Sequence, residues 1–304
     1  MGFHAGLPPP WQCHDLLHHR AAPDGRDVTA RNVSRYVRYT SEGQTSYGIL
    51  DGPTVHQLTG DVFNNPVRSG RTVAASEVRF EIPVDTRQVQ KVINVTGQSL
   101  EVKAPPPHPR VFGMFATSLL RNGAAIEVPP ESRGLQHAAA MVIVIGSRVP
   151  RFTSVNDAPD HVFGVAVGND VTDASWCSED RGVEEPALLV GMAADTWAPI
   201  GYEIVTGLDY NDLRLTARLD GTTASDVRTS HMNNTVAETI AYLSEYITLI
   251  PRDLLYMSSP GRGPEALAMK AGAEILIELE GVGLVRNPVV DMTRPAIKTP
   301  LPHA

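Results

Sequence analysis

The stretch QHAAAMVIVIG, Gln136–Gly146, decides how the rest of the chain is read. Its core, Ala139–Ile145, is an unbroken apolar run stopped by a glycine. That is the length and composition of a strand, well short of the roughly 18 apolar residues of a membrane span. Similar β-type runs follow at Val162–Val167, Gly201–Val205, Leu213–Leu219, Leu254–Met257, Glu274–Leu279 and Gly283–Val285, separated by Gly, Pro and Asp turns. One segment breaks the pattern. Thr235–Ile247 carries apolar residues at Val236, Ile240, Leu243 and Ile247, the stripe of a helix laid on a sheet. Many short strands with few helices predict an α+β, β-rich fold.

Upstream, Tyr36–Tyr39, Ser46–Leu50 and Thr54–Leu58 read as a small meander with a turn at Asp51-Gly52. A Pro- and charge-rich segment, 79–87, leads into a further apolar run, Val89–Val95, and a domain boundary is placed near residue 85. The expected organisation is a poorly ordered arm over 1–30, a small N-terminal β domain over 31–85, and a large domain over 86–304. The arm is rich in Pro, His, Arg and Asp, and its His14, His18 and His19 read as solvated tail residues.

Composition narrows the partners. A net charge of -8 and a pI near 5.7 offer no basic stripe to displace counterions from phosphates, so DNA and RNA are not expected partners. Two cysteines, Cys13 and Cys177, form neither a disulfide framework nor a metal-ligand spacing. No leader-like segment or membrane span is read, and a cytoplasmic location is the expectation by elimination. No nicotinamide, flavin, nucleotide or haem fingerprint occurs.

The order of segments resembles the fumarylacetoacetate hydrolase family. The residues that carry the likeness are VRYTSEGQTSYGILDG (Val37–Gly52), Gly60–Phe63, Met141–Gly146, Val167–Thr172, Asp195–Gly201, Leu243-Ser244, Leu249–Leu254 and Glu280–Val289. They span roughly residues 36–290 at close to the family's spacing. The resemblance implies a mixed β-sandwich roll, a homodimer, and an active site at one mouth of the roll. It also implies a divalent metal acting on 1,3-dicarbonyl or 2-oxo acid substrates, in C–C hydrolysis, decarboxylation, isomerisation or hydration.

Set against that pattern, the chain departs from the family at its charged positions. Where the family has a Glu-x-Glu pair of metal ligands, this sequence has Ala138 and Ala140; the third carboxylate is kept as Asp170. Alternation puts Gln136 on the face of those alanines and His137 on the other, so Gln136 is the candidate polar group and His137 reads as structural. One carboxylate is a poor site for a hard cation, and neither a bound metal nor another cofactor is expected. In the segment that carries the family's catalytic His, no His is found. Gln98 and Ser99 stand where the family has Asn and Tyr, with Glu101 and His108 as neighbouring lid or turn residues. The family's Arg is Ala174, its Lys is Met192, and its Thr-Gly-Thr-Pro loop reads Met257–Pro260, keeping a hydroxyl at Ser259.

These replacements share a direction, toward a larger and more apolar pocket. Asp170 is the catalytic candidate, with its pKa expected to rise by desolvation. Gln98, Ser99, Gln136, Ala138, Ala140, Trp176, Met192 and Ser259 are the substrate-binding candidates. Tyr202 is a possible wall residue, Asp195 a loop anchor, and Asp173, Glu179 and Asp180 are carboxylates in a loop segment. Three readings stay open. The first is a metal-independent enzyme acting on an enolisable, polyketide-like small molecule in a biosynthetic pathway, as an isomerase, dehydratase, cyclase or C–C lyase or hydrolase. The second is a non-catalytic binding or scaffold protein. The third is a conventional metal-dependent hydrolase with shifted ligands such as Asp173 and Glu179.

Overall fold

A computed structural model of the chain describes residues 33–96, 108–176, 188–259 and 268–293. All of them belong to one unit, 32–304, and the predicted arm over 1–30 lies outside the described residues. β1 (Ser34–Ser41), β2 (Gln44–Asp51) and β3 (Thr54–Thr59) form the expected antiparallel meander, and β4 (Val67–Ala74), which was not expected, extends it by one strand. Gly52 takes φ +53° at the β2–β3 turn, backbone that a residue without Cβ adopts at little cost. There follow β5 (Arg79–Phe80), β6 (Val92–Thr96), β7 (Arg110–Met114), β8 (Leu119–Arg121), β9 (Ile126–Val128), β10 (Gln136–Ile145) and β11 (Val162–Thr172). The chain continues through α1 (Leu188–Ala193), β12 (Ala198–Ile200), β13 (Glu203–Thr206), β14 (Arg214–Leu219) and β15 (Thr222–Arg228). Last come α2 (Val236–Tyr246), β16 (Leu254–Ser258), β17 (Glu274–Leu279) and β18 (Gly283–Asp291).

Among the described residues these strands make two sheets. The larger has thirteen strands along the path β4-β3-β2-β1-β13-β11-β10-β16-β6-β7, with β5, β8 and β12 attached at its side. The smaller is β15-β14-β17-β18-β9. The meander is continuous with the larger sheet, because β1 pairs antiparallel with β13 through Ser34–Val37. Arg35 reinforces that junction, bonding Glu203 at 2.6 Å and the Gly281 and Val282 carbonyls. A second tie runs from Arg252, ion-paired with Asp61 and stacked 4.8 Å over the Phe63 ring.

β10 explains why its sequence is apolar at consecutive positions. Ala139, Met141, Ile143 and Ile145 face the main core, with Leu215 and Ala217 of β14, Ile275 and Ile277 of β17, and Ile240 and Leu243 of α2. Ala140, Val142 and Val144 face a second core with Ala166, Ile200 and Tyr256. A strand covered on both faces has no polar side to show. α2 begins at the predicted place for a local reason: Thr235 and Glu238 form a reciprocal capping box, which satisfies otherwise orphaned N–H groups of the first turn.

Candidate active site

Four adjacent strands of the larger sheet, β11, β10, β16 and β6, come to one rim. β11 ends there at Thr172, β16 at Ser258 and β6 at Thr96, and β10 begins there at Gln136. Register then decides which side chains meet. Ala138 is the cross-strand partner of Asp170, and Ala140 is partnered by Gly168 on one side and Ser258 on the other. Asn94 of β6 pairs with Tyr256 of β16. Since directly opposed residues share a face, Gln136, Ala138, Ala140, Asp170, Thr172, Ser258, Tyr256 and Asn94 all lie on one side of the sheet.

The parallel β6–β16 register is held from its far end. Asp253 is fully buried and accepts from the Lys91 backbone N–H at 3.0 Å and the Ile250 N–H at 2.8 Å, while Lys91 Nζ reaches it at 2.9 Å. Tyr256 fixes the floor by donating its hydroxyl proton to the Ala198 carbonyl at 3.1 Å. Gly168 makes room for that ring: a Cβ there would fall 2.8 Å from Tyr256 Cε1 and 2.6 Å from Val142 Cγ2.

Burial is graded along this face. Gln136, Ala138 and Thr172 are partly exposed at the rim, Asp170 is 6% exposed, and Asn94 and Ser258 beneath it are 0% and 2% exposed. Loss of water pushes the Asp170 carboxyl up to about 6, with Asn94, Ser258 and Thr172 opposing the rise. Ser258 donates to Asn94 Oδ1 at 2.9 Å. Asn94 Nδ2 and Asp170 Oδ1 each remain without a partner at hydrogen-bonding geometry. A buried carboxyl poised near neutrality, beside an unused amide donor, is equipped to take and return a proton.

The opposite face of the same strands is chemically different. His137 is buried, both ring nitrogens lack partners, and burial holds its pKa down at about 4. On the same face, Asn169, opposite Ala139, is also buried and its side-chain amide is unpartnered.

The register brings Asp170, Ala138, Ala140 and Gln136 together. Met192 is partly buried in α1, whose Gly191 carbonyl accepts from Asp173 N–H at 2.9 Å, so α1 stands just beyond the end of β11. Trp176 is partly buried in the turn after Asp173. Ser259 donates its N–H to the Ala139 carbonyl at 2.8 Å, opposite Ala139; it is Ser258 that stands opposite Ala140 on the Asp170 face. His108 stacks on Tyr242 of α2, and Tyr202 on Phe80 of β5. Asp195 is exposed, and its loop is tied instead by Thr196 Oγ1 and Trp197 Nε1 to the backbone of Glu127. Gln98, Ser99, Glu101, Cys177, Glu179 and Asp180 lie outside the described residues, as do Cys13, His14, His18 and His19. Sequence reasoning missed Asn94, Ser258 and Tyr256. Asn94 had a visible signal, an amide set between Ile93 and Val95 in the apolar stretch Val92–Val95. Two surface clefts, of about 220 and about 290 Å³, are lined by residues of the N-terminal strands such as Arg71 and Arg68, away from Asp170.

A hard divalent cation wants several carboxylate oxygens in near-octahedral array. The face offers one carboxylate with an amide and a hydroxyl, and its cross-strand partner is an alanine. Among the described residues no three His, Cys, Asp or Glu side chains group closely enough to hold a metal. The donor set present does not fit such an ion.

The profile of the Fumarylacetoacetate (FAA) hydrolase C-terminal family matches residues 85–290, and that of the Rv2993c-like N-terminal family matches 34–83. The chain belongs to the fumarylacetoacetate hydrolase family. Within that family it is 30% identical to the mitochondrial oxaloacetate tautomerase FAHD2A of Bos taurus, over 71% of this chain and 70% of the relative. It is 27% identical to protein Rv2993c of Mycobacterium tuberculosis, over 86% of this chain and 100% of the relative. Among solved structures of the family's fold, the 2-hydroxyhepta-2,4-diene-1,7-dioate isomerase of Mycobacterium marinum superposes with a TM-score of 0.76 at 26% identity, covering 86% of this chain and 100% of that one. The 5-carboxymethyl-2-hydroxymuconate delta-isomerase of Mycobacterium smegmatis gives 0.75 at 26%, covering 85% and 100%. The β-rich α+β fold and the family expected from the segment order are thus found. No described helix is long and apolar enough to cross a membrane.

Proposed function

We propose that this family member moves a proton within an enolisable carbonyl compound, as an isomerase or tautomerase, without a divalent metal, and that Asp170 carries the proton. The observation that supports the reading is the Asp170–Ala138 cross-strand pair: a buried carboxyl raised to about 6, with an alanine where a metal site would need a second carboxylate. Tautomerisation and double-bond isomerisation, the reactions named for the relatives, each shift one proton and need no other reactant.

In the step proposed, the Asp170 carboxylate takes a proton from the carbon next to a carbonyl. The C–H electron pair becomes the new C=C bond, and the C=O π pair moves onto oxygen. Asp170 then returns the same proton, to the oxygen for a tautomerase or to a distal carbon for an isomerase. A base of pKa near the working pH serves both halves. The single carboxyl favours a neutral substrate over a dicarboxylate, because a second buried negative charge beside Asp170 would be repelled.

The test is proton exchange and keto–enol conversion across a panel of neutral 1,3-dicarbonyl and 2-oxo compounds, with protein stripped by a chelator. Turnover is expected to survive the chelator and to fall about 10²–10⁴-fold in Asp170→Asn, the usual weight of a positioned general base. Turnover restored only by Mg²⁺ or Mn²⁺ would overturn the metal-free reading. Unchanged turnover in Asp170→Asn would remove Asp170 from the mechanism, and neither binding nor turnover with any compound would favour a scaffold.

A further inference from the structure

We infer that Asn94 is the donor that holds the developing oxyanion of the substrate, and that Ser258 is a positioning residue that aims it. The inference deepens the proton-transfer reading and rests on it.

Three observations carry it. Asn94 is completely buried, yet its Nδ2 has no partner. Unmatched buried donors are rare and costly, about 1–3 kcal/mol each, and are kept where something outside the fold completes them. The unused donor stands on the face of the unused acceptor, Asp170 Oδ1, near enough for the amide to act on that carboxyl. Finally, the amide is oriented. The Ser258 hydroxyl has one proton and gives it to Asn94 Oδ1 at 2.9 Å, which leaves the NH₂ group as the free end. The reverse orientation would set amide oxygen toward carboxylate oxygen with no proton between them.

The pair therefore presents one donor and one acceptor on the same face of the sheet. An enolisable carbonyl is the chemical class that fits both: its oxygen accepts from Asn94 Nδ2 while its α-carbon gives a proton to Asp170. When the proton leaves, the electron pair arrives at the oxygen facing the amide. A dry donor aimed where charge develops stabilises that state more than the starting ketone. On this face Gln136, Ala138 and Thr172 are partly exposed at the rim, and Asp170 keeps 6% exposure.

Acetylacetone, a small neutral 1,3-diketone whose enolate absorbs differently from the diketone, is the probe. Asp170→Asn is used as the background, because it mimics the protonated carboxyl present once the proton has been taken. In that background the bound probe is expected to ionise at lower pH than in water, and Asn94→Ala should weaken enolate binding about 10–100-fold while diketone binding changes little. Ser258→Ala should produce a partial loss, and Ser258→Thr, which keeps the hydroxyl, should restore it; simple structural damage would not be rescued in this selective way. Far-UV circular dichroism of each variant checks the fold. Equal enolate binding with and without Asn94, or no binding of the probe in the Asp170→Asn background, overturns the assignment. These outcomes separate from the parent reading. If Asp170→Asn abolishes turnover but Asn94 is silent, only the oxyanion donor is lost; if Asp170→Asn keeps turnover, the proton carrier is lost.

Discussion

Asp170 and His137 sit back to back on one strand pair, and burial acts on them with opposite sign. The aspartate rises from 3.8 to about 6, so its ionisation costs stability progressively as pH increases through that window and fully above it. The histidine falls from 6.5 to about 4, so its cost appears as pH decreases through nearly the same window and is absent above it. Each shift corresponds to about 3 kcal/mol, and the two slopes offset one another in the native protein. Asp170→Asn is expected to be more stable than the native protein near pH 8 and to lose that advantage on acidification toward pH 4. His137→Leu should show the reverse, gaining on the native protein as pH falls below 6.5. Urea midpoints at a series of pH values measure both; parallel curves for all three proteins would show that neither group is desolvated as the structure has it.

At the scale of the strand, register is what turns a list of residues into a site. The period of two in QHAAAMVIVIG was enough to place Ala138, Ala140 and Gln136 on one face and His137 on the other, because alternation is local. Helix α2 was legible for the same reason, with its stripe and its cap within one short segment. Strands β4, β5, β7, β8, β9, β12 and β15 were not singled out, being short, edge-placed or polar along one side. Asn94 and Ser258 stayed hidden because their meeting depends on a parallel pairing between distant strands, and nothing local announces which strands will lie side by side. The same logic yields a test within β10. Ala138→Glu would set a second carboxylate directly across from Asp170, and like charges at that spacing cannot both ionise easily. The acidic limb of the pH–rate profile should then move to higher pH by about one unit or more, a shift that Ala138→Gln, of similar size and no charge, should lack. If glutamate and glutamine give the same profile, the two positions are not in electrostatic contact.

Within the described residues, the N-terminal meander continues the sheet that carries the candidate site, and Arg35 and Arg252 stitch the two regions together. Asn94, Asp170 and Ser258 come from three separate strands, and the hydrogen bond between the first and last closes a span of 164 residues. Loops of that size form late, since their entropy is spent before any contact repays it. In refolding from urea, strand signal in the far-ultraviolet should return ahead of enolate binding, and the delay should lengthen in Lys91→Met, which removes the ion pair holding the β6–β16 register. Simultaneous recovery of both signals would mean that this pairing forms early. A consequence reaches back to synthesis: a chain still short of residue 258 already holds the Asp170 carboxyl but lacks the hydroxyl that aims its partner amide, so proton transfer waits for translation to pass that point.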